Sequence, residues 1–407
     1  MRVIFINYIH PETPHVSSMR LRYFAETLAR RGHRVVLLTR TLYDGEAGKT
    51  VVKVSEEFAN QDWSRPYFLA CAPVKHWHLE RIRDPQTSRW LRKALIFGQY
   101  AFGEGLFSDW TVATRPYWPV LASRFKPDVT LGTFGNLDSW VIARGIAKAA
   151  NVPWVMDAKD GWEVFIHPLL RHWLACRFND AAALTSNSGY LAEQYARWFP
   201  QRAEIIYSGV DENWIQPSSP PLEGFRIMLV GSVYDKHYLE HFVRGLRAWL
   251  EALTPGERGL VCLDYAGSDM LKVESAMAEL AGLCRTEIHA YMPLTELANL
   301  CRGAAVNAYL WNPKTFHHKL VELLCCQRPI ISFPGERAES ILLSQRVGGS
   351  LNVCLDERGL QDALTQIWHG GLQPTSGPEQ LRELTWEAQA DHLEEVLRRV
   401  AVRTLLS

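Results

Sequence analysis

The pattern that most constrains this chain is an alternation of strand and helix that starts at the N-terminus and begins again past the midpoint. An apolar run, Val3-Ile4-Phe5-Ile6-Asn7, is followed by a polar loop from Tyr8 to Ser18. Met19 to Arg31 then places Leu21, Phe24, Leu28 and Ala29 at helical spacing, Gly32 ends that helix, and Val35 to Thr39 is a second apolar run. Strand, crossover helix and strand is a βαβ unit, which pairs its strands in parallel and covers the sheet with helices. Strand-like runs continue at Asp128 to Leu131, Trp154 to Asp157, Ala182 to Thr185 and Glu204 to Tyr207. Gln216-Pro217-Ser218-Ser219-Pro220-Pro221 sustains neither helix nor sheet and reads as a linker. The pattern then restarts with Phe225 to Val230, a helix over Tyr238 to Leu253, and strands at Val261 to Ala266, Ile288 to Tyr291, Val306 to Leu310 and Pro329 to Phe333.

A chain of 407 residues exceeds what one hydrophobic core spans. The expectation is an α/β protein of two Rossmann-like domains facing each other across a cleft: residues 1–215, residues 222–385, and a terminal amphipathic helix over 386–407 packing back toward the first. Lys plus Arg and Asp plus Glu both number 44, so no global field recruits nucleic acid. The eight cysteines form no Cys-x-x-Cys pair, which fits small buried thiols in a reducing cytoplasm. The first apolar run is too short for a signal peptide or a membrane span. Residues 74–120 break the alternation. They mix Trp77, Trp90, Trp110 and Trp118 with Arg81, Arg83, Arg89, Arg92 and Lys93. That insert reads either as a helical pair packing its aromatics internally or as a basic, aromatic surface for a membrane interface or lipid-linked acceptor.

Ligands of open parallel sheets bind beyond the carboxyl ends of the strands, so the loops there hold the candidates. The first runs from Pro11 to Arg20. Ser17 or Ser18 is placed to cap the helix that follows, and His15 and Arg20 add charge for a diphosphate or an acceptor. After Phe225 to Val230 come Gly231, Ser232 and Lys236: a glycine that lets backbone approach a ligand and a lysine that meets phosphate. The most informative segment is Thr315 to Ser332. There a helix starting near His317 and His318 offers free N–H groups to a diphosphate, with Lys319 and Leu320 in its first turn. Glu322 on the same helix offers a carboxylate to vicinal hydroxyls, such as those of ribose. Tyr291 joins this nucleotide-binding set. Asp157 and Asp160, at a strand end beside Lys159, suit acceptor or sugar hydroxyls, and Asn136 follows another strand and lines the same cleft. Each of these carries a plain alternative: a capped helix, a local ion pair or a solvated side chain.

Several segments in order resemble the family 4 retaining glycosyltransferases of the GT-B fold, nearest to bacterial members that build polysaccharides or lipid-linked glycans. Arg31-Gly32-His33-Arg34-Val35 is similar to their Arg-Gly-His-x-Val, Ser208-Gly209-Val210-Asp211 to their Asn-Gly-Val-Asp turn, and Lys319-Leu320-Val321-Glu322 followed by Arg328-Pro329-Ile330 to Lys-Leu-x-Glu and Gly-x-Pro-Val. Asp109-Trp110 with Lys126-Pro127-Asp128-Val129, and Trp386-Glu387 opening the terminal helix, extend the likeness over nearly the whole chain. The resemblance implies a glycosyltransferase that moves a sugar from a nucleoside-diphosphate donor to a glycan or lipid-linked acceptor. It implies retention of configuration, no cofactor, and cations in place of a metal. Lys236, Lys319 and the helix tip would stabilise the leaving diphosphate, and Asp157 or Asp160 would orient the acceptor. The location implied is cytoplasmic, with peripheral contact at the inner face of the plasma membrane. The chain departs from the family at Lys314, where the first Glu of a Glu-seven-residues-Glu pair falls, and at Val16-Ser17-Ser18, which replace a double Gly. A nucleotide-sugar epimerase and a non-catalytic scaffold of a glycan assembly complex are the alternatives.

Overall fold

A computed structural model describes every residue except Pro14, His15, Asp44, 217–221, Tyr291 and Ser407, and every side chain but those and Val16 and 403–406. The linker at 217–221 and the candidates His15 and Tyr291 lie outside the described residues. The chain divides into two compact units, Met1–Ser208 with Gln389–Ser407, and Gly209–Ala388.

The first unit holds a seven-stranded sheet built from β1 (Arg2–Ile6), β2 (Arg34–Arg40), β3 (Tyr67–Cys71), β4 (Val129–Phe134), β5 (Trp154–Ala158), β6 (Ala183–Ser186) and β7 (Ala203–Ile205) in the order β3-β2-β1-β4-β5-β6-β7. Every pairing is parallel. The second unit holds β8 (Phe225–Val230), β9 (Val261–Ala266), β10 (Arg285–His289), β11 (Val306–Leu310), β12 (Ile330–Phe333) and β13 (Leu351–Val353) in the order β10-β9-β8-β11-β12-β13. These are also parallel throughout. Both sheets are therefore doubly wound, and strand order reverses beside β1 and beside β8, where a ligand crevice forms in such sheets.

Central strands such as β4, β5 and β9 are buried along their whole length, which is why they read as continuous apolar runs. The edge strands were harder to see. β3 alternates buried and exposed positions just before the aromatic stretch, and β13 is three half-buried residues. β10 starts at Arg285, earlier than the expected Ile288, because its Arg285 and Glu287 are edge residues that carry no apolar signal.

An aromatic core fixes the first unit. Trp140 and Trp162 stack with centroids 5.8 Å apart and are packed by Phe134, Phe178, Tyr195 and Phe199. The helix Leu137–Ala150 thereby buries its tryptophan face against β4 and β5. The unit boundary after Ser208 precedes residue 215 because the following residues are tied to the second unit. Val210 bridges Thr385 in parallel, its N–H donates to the Leu384 carbonyl at 3.0 Å, and its own carbonyl accepts from Trp386 at 3.2 Å. The Asn213 carbonyl accepts from Arg302 at 2.5 Å.

The helix Trp386–Leu406 belongs to the first unit from Gln389 onward. Glu394 anchors it there, 2.9 Å from His33 Nε2 and 3.1 Å from Arg31 Nη1, and Asp391 meets Arg31 at 2.6 Å. Burial opposes the Glu394 charge, yet hydrogen bonds from Arg398, His33 and Arg31 bring its pKa down to about 2. Burial holds His33 below its ordinary 6.5 against the pull of Glu394. Both shifts have the same sign: the unfolded chain binds protons that the fold excludes. The stabilisation is complete above the unfolded-state values and is lost as pH falls, first through the histidine range and then from 4.5 towards about 2. We expect the midpoint of thermal unfolding to fall as pH is lowered from neutral to about 3. Glu394→Gln should lower the midpoint at neutral pH and flatten its acid limb. Parallel profiles for the two proteins would refute this assignment.

Candidate functional site

In the second unit, the loops that follow β8, β9, β11 and β12 gather at the carboxyl edge of the sheet. The loop after β8 is fixed to the loop after β9: the Tyr265 hydroxyl donates to the Gly231 carbonyl at 2.9 Å, and Asp269 accepts from the Val233 N–H at 2.9 Å. A side chain at Gly267 would bring its Cβ within 2.2 Å of the Gly231 carbonyl, so two backbones meet there at a distance only glycine permits. Gly231 has φ +100° and open space above it. The Ser232 hydroxyl is exposed and 3.3 Å from that of Ser268. The Tyr234 ring lies 5.9 Å from His317, so this loop reaches the segment singled out after β11.

That segment forms the helix His318–Cys325, with His317 as its N-cap residue. The His317 side chain does not cap the helix. Its Nε2 accepts from the Asn312 N–H at 2.7 Å, and its ring packs 5.4 Å from Tyr309. Burial lowers its pKa, against the attraction of Glu336, so the ring stays a neutral acceptor. No side-chain cap and no acidic residue occupies the first turn, which leaves a positive helix end. Leu320 is fully buried and pins the turn to the core. Glu322 is 7% exposed, so it is no solvated helix residue. It is paired with Lys319 and sits 3.7 Å from His318 Nε2. Burial opposes the Lys319 charge, but Glu322 outweighs it and raises the lysine pKa, keeping the ammonium charged.

Lys236 does not join this group. Its side chain is two-thirds exposed and pairs with Glu240 at 3.0 Å along the helix Lys236–Ala252. The i,i+4 spacing favours that surface pair over an inward reach.

Two residues of the same edge escaped sequence reading. Glu336 follows β12 in Pro334-Gly335-Glu336, accepts from Ser332 at 3.2 Å and bonds the buried Tyr309 hydroxyl. Burial and the neighbouring carboxylate both raise the Tyr309 pKa. The signal was available, since Glu336 lies in the loop that follows the expected strand Pro329 to Phe333, but the sequence reading stopped at that strand.

In the first unit, several expected ligand groups are structural. The helix Val16–Arg30 starts before Ser17 and Ser18, so neither is an N-cap. Both are buried, and Ser18 donates to the Thr13 carbonyl at 2.6 Å. Arg20 and Asp157 form a buried ion pair at 3.0 Å, with 1% and 2% of their side chains exposed. Asp157 also accepts from Thr133 at 2.9 Å and Thr185 at 2.8 Å, and Arg20 donates to the Ile206 carbonyl at 2.9 Å. All their lone pairs and N–H groups face protein, so neither meets an acceptor or phosphate. Asn136 is the buried N-cap of Leu137–Ala150, accepting from Leu137 at 2.9 Å and donating to the Tyr100 hydroxyl at 3.1 Å. It fixes a helix entry and is 5% exposed, which makes its role structural. Asp160 is different: it is one-third exposed and pairs at 3.0 Å with Lys159, whose ammonium also contacts the Ser17 hydroxyl. Gly135 keeps the space beside that pair clear.

Among the described residues, Cys262, Asp264 and Glu287 bring possible metal-ligand atoms within 4.8 Å of one another. The Arg226 guanidinium already pairs with both carboxylates, at 2.8 Å and 2.9 Å. Cys176 is the exposed thiol of the chain, and six of the other cysteines are buried.

No protein-family model and no curated protein matches this chain. Solved structures do match along its length. Sucrose-phosphate synthase from Thermosynechococcus elongatus superposes with a TM-score of 0.67 at 14% identity over 99% of both chains. An alpha,alpha-trehalose-phosphate synthase (UDP-forming) from Burkholderia xenovorans, in complex with glucose-6-phosphate, gives 0.65 at 14% identity over 98% of this chain and all of the other. The Anabaena protein HepE, in complex with UDP-glucose, gives 0.62 at 13% identity over 98% of this chain and 100% of its own. The fold of this chain is thus that of the GT-B glycosyltransferases, two Rossmann-like α/β domains.

Removing one partner of the Arg20–Asp157 pair leaves a buried charge alone. Arg20→Ala or Asp157→Ala should each destabilise the first unit by about 3–5 kcal/mol, measured by denaturant unfolding. A change below about 1 kcal/mol would show that the pair is not structural.

Proposed function

We propose that this protein is a glycosyltransferase that moves a sugar from a nucleoside-diphosphate donor to an acceptor hydroxyl. The observation that carries the reading is the open N-terminus of the helix His318–Cys325. It combines a helix end without a side-chain cap, a charged Lys319 and the carboxylate of Glu322 within one turn, at the carboxyl edge of a doubly wound sheet. A pyrophosphate fits the helix end and the ammonium, and ribose hydroxyls fit a carboxylate beside them. The likeness to structures determined with UDP-glucose and glucose-6-phosphate supports the same reading.

In this reaction the bond from the anomeric carbon to the diphosphate oxygen breaks and a bond to the acceptor oxygen forms. The acceptor proton passes to the departing diphosphate or to solvent, and the diphosphate carries away the electron pair. The leaving oxygen gains negative charge at the transition state, where the helix dipole and Lys319 stabilise it without reorganising. Tyr309 and Glu336, beside His317, bound the donor site. On the acceptor side, Asp160 is the carboxylate with solvent access and Lys159 is its counter-charge. A glycan or a lipid-linked sugar is the acceptor class we favour, with retention of configuration.

Thermal-shift measurements against nucleoside diphosphates and their sugars test the donor site. A true donor at a hundredfold excess over its Kd stabilises the fold by about 2.7 kcal/mol. Lys319→Ala and Glu322→Gln should abolish the shift, and Lys236→Ala should leave it intact. Asp160→Asn should keep donor binding and slow transfer. The site assignment is overturned by a shift that survives both Lys319→Ala and Glu322→Gln. Conversion of the donor sugar with no acceptor present would favour an epimerase instead.

A further inference from the structure

Nine of the twenty large hydrophobic side chains exposed among the described residues fall between residues 74 and 102 or between 164 and 173, two short stretches of the first unit. In the insert, the helices Trp77–Arg83 and Arg89–Phe102 are held to the core by Leu79, Gln99 and Tyr100. They turn Trp77 (71% exposed), Trp90 (80%) and Phe102 (92%) to solvent. The expectation that the insert packs its aromatics internally therefore holds for Trp110 and Tyr100 but not for these three. The neighbouring helices Trp162–Phe165 and Pro168–Arg177 expose Val164, Leu169 and Trp173. A ring contact of 5.3 Å between Phe97 and His167 joins the two stretches.

The charges beside these rings are mostly positive. Lys75, Arg81, Arg89 and Lys93 are exposed, and none meets a carboxylate among the described residues. Arg83 and Arg92 are committed elsewhere, to Asp109 and to the Asp84 and Thr87 carbonyls. Of the local acids, Glu104 is neutralised by Arg115, and Glu80 is exposed among the cations. Lys93 lies with its ammonium 5.5 Å from the Trp90 ring. Tryptophan and phenylalanine beside unpaired Lys and Arg match the boundary of a bilayer, where rings sit at headgroup depth and long cationic side chains reach anionic phosphates. Among the described residues no helix is long and apolar enough to cross a membrane, so the contact is with its surface.

We propose that the face formed by the helices Trp77–Arg83, Arg89–Phe102 and Pro168–Arg177 docks on an anionic lipid surface. The inference stands apart from the transferase reading, because vesicle binding needs no donor and nucleotide binding needs no vesicle. Flotation of the full chain tests it, with vesicles of phosphatidylcholine alone or mixed with phosphatidylglycerol. The protein should float with the anionic vesicles, be left behind by the neutral ones, and be released by salt. W77S/W90S/F102S and R89E/K93E alter exposed positions, so both should keep the wild-type melting profile. Each should weaken partitioning, the charge reversal by about thirtyfold or more. Leu271→Ser, an exposed change in the second unit, should float like wild type. No flotation with anionic vesicles, or variants that float unchanged, would overturn the proposal. So would a concentration-dependent dimer that the variants abolish in a protein that ignores vesicles, since the face would then belong to a second copy.

Discussion

Parallel pairing is the constraint from which the rest of this molecule follows. A strand that pairs in parallel needs a crossover for each neighbour, and the crossovers cover both faces with helices. Every carboxyl end is then delivered to one edge of the sheet. In the first unit β1 lies between β2 and β4, and in the second β8 lies between β9 and β11. At those reversals the flanking helices diverge, so the loops after the strands are not buried under a crossover. The groups with chemical potential, from Gly231 through His317 to Glu336 and from Lys159 to Asp160, each belong to a loop at the carboxyl edge of their own sheet or to the helix that opens from one. Their common location is a result of topology before it is a result of residue choice.

The same topology explains what was legible in the sequence. Central strands are buried on both faces, so Val35 to Thr39, Trp154 to Asp157 and Val261 to Ala266 stood out as apolar runs. Edge strands are half solvated, and β3, β13 and the start of β10 were missed for that reason. The candidate site was legible in part. The Lys319-Leu320-Val321-Glu322 stretch and its helix start were visible from residue type and order. The fate of Arg20 and Asp157 was not. They are 137 residues apart, and only the folded sheet brings a charge from the first helix against the end of β5. Sequence also could not distinguish Asp157, which points into the protein, from Asp160 three residues later, which does not.

Charge economy separates the two halves of the candidate chemistry. In the first unit, the buried charges of Arg20 and Asp157 are matched within the fold. Arg20 with Asp157 leaves little capacity for a ligand, and the polar side chains around them are saturated by one another. In the second unit, the pairing of Lys319 with Glu322 is local, between residues one turn apart at an otherwise uncapped helix end. A pair of that kind can be shared with an incoming ligand, because the ammonium and the carboxylate each have a complementary partner on a nucleotide. Fixed pairs build the scaffold here, and adjustable pairs are left where binding would use them.

The helix Trp386–Leu406 makes the first unit discontinuous in sequence, since its last segment follows the whole of the second. During synthesis Arg31 and His33 emerge more than 350 residues ahead of the Glu394 that they bind. The unit that begins first is thus completed last, after its neighbour has had time to fold on the ribosome. A nascent chain stalled before that helix would display an unfinished first unit beside a finished second one. That places the greatest demand on chaperones late in translation rather than early.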